Sequence, residues 1–171
     1  MKQWVVLALM VLAAAFSRLI PHPWNFTAVG AMALFAGAYF SAKKHSLIVP
    51  LAALFLSDLF LGFHATLVFV YLAFSLVVTL GWSLREQTSP ARIAAFSVLT
   101  SALFFVVSNF GVWITGGMYA FSLQGLAECF VAAIPFFGNQ IYGDLFFSAI
   151  LFGSYETLKN IVPELVPSKQ V

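Results

Sequence analysis

Asn109 to Asp144 reads NFGVWITGGMYAFSLQGLAECFVAAIPFFGNQIYGD, and how it is read decides the fold of the whole chain. It mixes Asn, Trp, Tyr, Gln, Glu and Asp with Gly111 and the pair Gly116-Gly117, and it carries no Lys or Arg. Inside it, Leu123 to Phe137 is apolar but interrupted by Pro135. That piece is shorter than the roughly 20 residues of a transmembrane helix. If it crosses a membrane, the chain has seven spans; if it lies flat or dips in and out, there are six.

The case for a membrane rests on composition. Of 171 residues, 62% are hydrophobic and 8% charged, whereas a soluble domain carries about 25% charged residues. A water-facing surface cannot be built from that supply, so the expectation is a polytopic membrane protein. A net charge of +2, with no basic run beyond Lys43-Lys44, argues against a nucleic-acid partner. The single cysteine, Cys129, excludes an intramolecular disulfide and a cysteine-based zinc or iron–sulfur site.

Outward from the central stretch, six apolar helices are expected. Trp4 to Phe16 follows Lys2 and ends at Ser17-Arg18. The same pattern, with Ala13-Ala14-Ala15, fits a cleaved export signal, but a chain embedded throughout needs no separate signal, and a first helix is expected. Pro21 to Thr27 is a loop, with Thr27 placed to cap a second helix over Ala28–Ala42. The third helix runs from Ser46 to Leu61, the fourth from Thr66 to Leu84, the fifth from about Ile93 to Ser108. The last covers Leu145 to Leu158, begun near Asn139, and Lys159 to Val171 forms a solvated tail. The distribution of basic residues settles the span number. With six spans and an inner N-terminus, Lys2, Lys43, Lys44, Arg85, Arg92, Lys159 and Lys169 share the inner side and only Arg18 lies outside. The expected fold is an all-α integral membrane domain over 1–171. It is a six-helix bundle with a short outer re-entrant or interfacial helix between helices five and six, and both termini are cytoplasmic.

This sidedness gathers the polar groups. Asp58 and Asp144 fall at the outer ends of helices three and six, beneath Pro21–Thr27, the Gly62-Phe63-His64 turn and Asn109–Gln140. A carboxylate within a span costs about 2.5–3.5 kcal/mol on insertion scales and tends to face a cavity or a partner. Asn25, Asp58, His64, Asn109, Trp113, Tyr119, Asn139 and Asp144 are therefore the candidate solute-binding residues, offering amides, carboxylates and amphipathic rings. Trp and Tyr also collect at membrane interfaces whatever the function.

Other chemistry finds little footing. His22, His45 and His64 form no HExxH pair, so no resident metal or cofactor is expected. No Gly-x-Ser-x-Gly elbow and no phosphate loop is present. An Asp58/Asp144 carboxylate pair is the enzyme alternative; a non-enzymatic carrier is expected. Ala33-xxx-Gly37 and Ala38-xxx-Ala42 put small side chains one turn apart, suited to close helix approach, within the chain or against a separate subunit. A structural subunit using that face is the third reading.

Pro23-Trp24-Asn25-Phe26-Thr27-Ala28 through Phe40, Leu56-Ser57-Asp58-Leu59-Phe60-Leu61-Gly62 and Asn109-Phe110-Gly111-Val112-Trp113, together with the size and six spans, carry a resemblance. The chain resembles the substrate-binding S components of energy-coupling-factor transporters and the uncharacterised bacterial membrane families grouped with them. The resemblance implies uptake of a vitamin or vitamin-like molecule through a pocket near the outer face of the bacterial plasma membrane. It implies as partners a membrane scaffold subunit and two ATPases. In S components an Ala-x-x-x-Ala motif in the first span docks on the scaffold. Here the best small-residue surface, Ala33, Gly37, Ala38 and Ala42, lies in the second. Cobalamin, thiamin, riboflavin, biotin and queuosine precursors are the implied solutes. His22 or His64 would be the residue to ligate a corrin cobalt.

Overall fold

The short second helix sits at the centre, and the others are arranged around it. The computed structural model describes residues 3–162 and 165; Lys2, Lys169 and the proline-bearing tail after Val162 otherwise lie outside the described residues. The helices are α1 (Gln3–Phe16), extended by a 3-10 turn over Ser17–Leu19, α2 (Val29–Tyr39), α3 (Lys43–Leu61), α4 (Leu67–Gly81), extended by a 3-10 turn over Trp82–Leu84, α5 (Pro90–Thr115) and α6 (Leu123–Ile161). Among the described residues there is no strand. Three helices, Lys43–Leu61, Leu67–Leu84 and Pro90–Thr115, are long and apolar enough to cross a membrane. Large apolar side chains such as Phe55, Phe60, Val68, Val106 and Val131 stand on the outside of the bundle.

Every residue of α2 from Val29 to Ala38 is buried, and α2 touches each of the other five helices. Its glycine explains the closest contact. A Cβ on Gly37 would sit 2.2 Å from the carbonyl oxygen of Val78 and 2.9 Å from the Cα of Gly81 on α4. The two backbones meet directly, as small residues permit. This corrects the docking expectation for Ala33, Gly37, Ala38 and Ala42. The first three are buried inside the bundle and Ala42 is half-buried just beyond α2, so the surface is used within the chain.

Two further expectations are corrected by α5 and α6. Ser89 caps α5 by accepting from the Arg92 backbone N–H, with Pro90 at the first helical position, where a missing N–H does no harm. The helix then runs on through Asn109, Gly111 and Trp113 to Thr115, residues expected in a loop. Gly111 is there because its Cβ would lie 2.5 Å from the Phe69 ring. The expected separate outer helix over 123–137 does not exist. Ser122 caps a single 39-residue helix that includes Pro135, Asn139 and Asp144. At 1.5 Å per residue it is about 58 Å long. Thr27 is not a cap: Ala28 holds that position and no side chain there caps α2 locally.

The bundle has one strongly basic end. The Tyr39 hydroxyl donates to Glu156, Lys159 pairs with Glu156 at 2.7 Å, and Lys43 lies over the Trp82 ring. Arg92 reaches Gln87 and the Ser83 carbonyl. Arg85 donates to the carbonyls of Gly37, Phe40 and Ser41, which are orphaned acceptors at the C-terminus of α2 and attract a cation. Burial pulls the Arg85 guanidinium below its ordinary value, yet arginine stays charged at any working pH. Arg85→Ala should lower stability by about 2–3 kcal/mol, seen as a reduced midpoint in thermal unfolding of the detergent-solubilised protein. Arg85→Lys should restore only part, because a compact ammonium cannot spread over three carbonyls that Arg85 reaches with three separate nitrogens. A wild-type midpoint for Arg85→Ala would show that the clamp contributes nothing.

Candidate functional site

At the other end, the loop between α1 and α2 folds over the N-terminus of α2 and leaves a cavity. Asn25 holds a left-handed φ of 61°, a conformation asparagine adopts more readily than most residues. The Phe26 N–H closes a turn onto the Pro23 carbonyl. The loop rests on α6 at Gly143, where a Cβ would be 3.1 Å from Thr27 N, and Asn139 Nδ2 donates to the Trp24 carbonyl at 3.1 Å. The cavity beneath has a volume of about 200 Å³. Arg18, Asn25, Thr27, His64, Gln140 and Asp144 supply its polar wall; Val29, Val70, Phe74 and Phe104 supply the apolar one.

Two carboxylates stand near it in different settings. Asp58 is buried, and Arg18 Nη1 donates to its Oδ1 at 2.6 Å while also reaching Ser57 Oγ at 2.6 Å. The Tyr71 hydroxyl donates to Asp58 Oδ2 at 2.9 Å. Asp58 therefore anchors Arg18 at the cavity wall and does not line it. Asp144 does line it, is 3% exposed, and has no cation within 4 Å among the described residues. Ser101 Oγ donates to its Oδ2 at 2.6 Å, and its other oxygen stands against the first turn of α2 at Gly30. Asp144 thus brings a carboxyl group from α6 to the N-terminal end of α2, whose dipole favours it. Gly30 keeps the approach open, since a Cβ there would lie 2.2 Å from Asp144 Oδ1.

Asp144 also belongs to a polar seam. Gln140, Asp144 and Ser148 recur every four residues on α6 and share a face. Ser97 and Ser101 do the same on α5. Ser97 Oγ donates to Ser148 Oγ at 2.8 Å, Ser101 to Asp144, and Gln140 Nε2 to the Ser101 carbonyl at 3.3 Å. Two stripes of polar residues at helical spacing in otherwise apolar helices are a sequence signal for this seam.

Of the expected site residues, Asn25, His64 and Asp144 line the cavity, and Asp58 adjoins it through Arg18. The other four fall outside the lining. Asn109 donates its amide to the Phe105 carbonyl one turn back, and its own carbonyl accepts from Cys129. Trp113 Nε1 donates to the Ala120 carbonyl and its ring lies against Phe110 and Phe121, so it braces the turn between α5 and α6. Tyr119 is in that turn, and Asn139 holds the loop. Asp58 and Asp144, the pair of the enzyme alternative, share no hydrogen bond, each having its own partners. Among the described residues no group of three or more His, Cys, Asp or Glu could hold a metal ion. His22 is exposed, with Nδ1 on the Ile20 carbonyl, and does not line the cavity.

A second cavity of about 450 Å³ lies between α5 and α6 toward the basic end. It is larger, but Ile93, Ala94, Leu145, Ala149 and Phe152 dominate its wall, and its one charged group, Glu156, is already bound by Tyr39 and Lys159. Recognition chemistry with free capacity is found in the smaller cavity.

Fold and site together define an all-helical bundle built on a half-length central helix, with a charged cavity over that helix's N-terminus. The chain belongs to a family of unknown function (DUF6580), whose family model matches residues 1–165. No curated protein and no solved structure matches it.

Proposed function

We propose that this chain is a multi-pass carrier of the bacterial plasma membrane, similar in plan to an S component, that takes a small solute into the cavity beneath the Pro21–Ala28 loop. The observation that carries the reading is the cavity itself: a protein with 8% charged residues gathers Arg18, Asp144, Gln140, Asn25 and His64 around one space. Polar groups at membrane depth are costly and mark functional sites by default.

Helix lengths support it. The 11 residues of α2 cover about 16 Å, roughly half of a ~30 Å hydrocarbon core. With its C-terminus held by Arg85 at the basic end, its N-terminus and the preceding loop fall within the bilayer. Irregular backbone at that depth is tolerated where it lines a protein-enclosed cavity. Lys43, Arg85, Arg92 and Lys159 mark the cytoplasmic side by the positive-inside rule, which turns the cavity outward and puts both ends of the chain inside. The chain then passes between the two sides six times, with loop and α2 together making the second passage, shielded by the neighbouring helices.

At about 200 Å³ the space is below the ~300–1,000 Å³ usual for drug-sized ligands. The solute belongs at the small end of what the resemblance implies, and a corrin ring does not fit. The burial of α2 removes the expected docking surface for an energising scaffold, so the proposal carries no such partner. Mass spectrometry of small molecules retained by protein purified in mild detergent tests the reading. The expected result is one stoichiometric polar solute whose removal lowers the melting temperature and whose return restores it. A protein that retains nothing, and that no small solute stabilises, would end the carrier reading.

A further inference from the structure

The charges on the cavity wall sort by position and by what they still have to offer. Arg18 uses Nη1 for both of its hydrogen bonds, to Asp58 and Ser57. A guanidinium has five N–H donors, and those of Nε and Nη2 have no partner among the described residues. On another element Asp144 accepts from Ser101, whereas a carboxylate offers about four lone-pair positions. It therefore keeps acceptor capacity beside the cavity, with no cation within 4 Å among the described residues.

We infer that the cavity selects a small zwitterion, with Arg18 binding the solute's carboxylate and Asp144 binding its ammonium group. The inference rests on the carrier reading and narrows its substrate class. Arg18 suits the first task because its planar fork matches a carboxylate, and Asp58 holds that fork in place. Asp144 suits the second because an ammonium supplies the donors its remaining lone pairs lack. Asn25 and Thr27, whose side chains make no hydrogen bond among the described residues, add neutral donors and acceptors at the wall. An acid alone would leave Asp144 without a cation, and an amine alone would leave the spare Nε and Nη2 donors of Arg18 unused, so each is bound more weakly than a zwitterion. The volume limits the class to molecules of amino-acid size.

The test uses the full chain in detergent with β-alanine, γ-aminobutyrate, the common L-amino acids and glycine betaine as zwitterions. Propionate, propylamine and propionamide are the comparators, and equilibrium binding and thermal shift are the readouts. At least one zwitterion should bind saturably, and each comparator should bind about ten- to hundredfold more weakly. Asp144→Asn should erase the preference for zwitterion over acid. The double variant Arg18→Gln, Asp58→Asn, which leaves no lone buried charge, should erase the preference for zwitterion over amine. A structural role for either residue would lower affinity for every probe and leave the preferences intact. The wild-type ranking decides the question if a variant fails to fold. A retained solute that is uncharged or singly charged overturns this inference and leaves the carrier standing; a protein that binds no solute of any class overturns both.

Discussion

Gly37→Val should leave no folded, monodisperse protein in size-exclusion chromatography after detergent extraction. The physical reason is that nothing near Gly37 can move aside. Its would-be Cβ meets the Val78 carbonyl at 2.2 Å and the Gly81 Cα at 2.9 Å, and a Cβ on Gly81 would in turn lie 2.5 Å from the Leu34 carbonyl. Both sides of the contact are backbone, so relief requires separating α2 from α4 along the centre of the bundle. Gly37→Ala should cost more than the about 1–3 kcal/mol of ordinary overpacking. Gly138→Ala and Gly153→Ala are the controls: no atom lies within 4 Å of either Cβ, and both should melt at or above the wild-type temperature, since alanine favours the helix. A Gly37→Ala protein that melts like wild type would mean that the helices do not touch as described.

The second large effect concerns Arg18 and Asp58. Removing either partner alone, as Arg18→Met or Asp58→Leu, should destabilise the protein by about 3–5 kcal/mol, because the remaining charge is buried and unmatched. The pair is only 16% and 2% exposed, so water does little to relieve it. The double variant should recover most of that loss, since a buried pair replaced by apolar groups is often neutral. A thermal double-mutant cycle in detergent gives the coupling directly. Single variants as stable as wild type would show that the pair is solvated. The refolded double variant should also fail to hold the solute, which separates the pair's work in folding from Arg18's work at the cavity wall.

Much of this was readable beforehand, and the misses share a cause. Apolar runs and breakers located the helices because each depends on a short window of sequence. The gathering of Asn25, His64, Asp58 and Asp144 at one end followed from counting crossings. Arg18 was also in view as the one basic residue expected on that side, with Asp58 and Asp144 as its two possible carboxylate partners. Asn109 to Trp113 misled because Gly111 resembles a turn, whereas it is a gap for Phe69 within a helix. Asn139 and Gln140 resembled a boundary, yet their amides bond to Trp24 and Ser101 from the middle of α6. The approach of Asp144 to α2 across Gly30 was out of reach, because it depends on how three helices are rotated relative to one another. The four-residue recurrence of Gln140, Asp144 and Ser148 was the accessible hint.

The length of α6 has a consequence for how the molecule lives in a membrane. A rod of about 58 Å spanning Leu123 to Ile161 exceeds the ~40–45 Å of a bilayer with its headgroups. In the proposed setting it has to lean, or to stand proud of the surface on the side of its first turns. Its lean is then tied to lipid thickness, and Asp144 rides on that lean against the end of α2. Swapping short-chain for long-chain lipids should therefore shift Asp144 against the end of α2 without any change in amino acids.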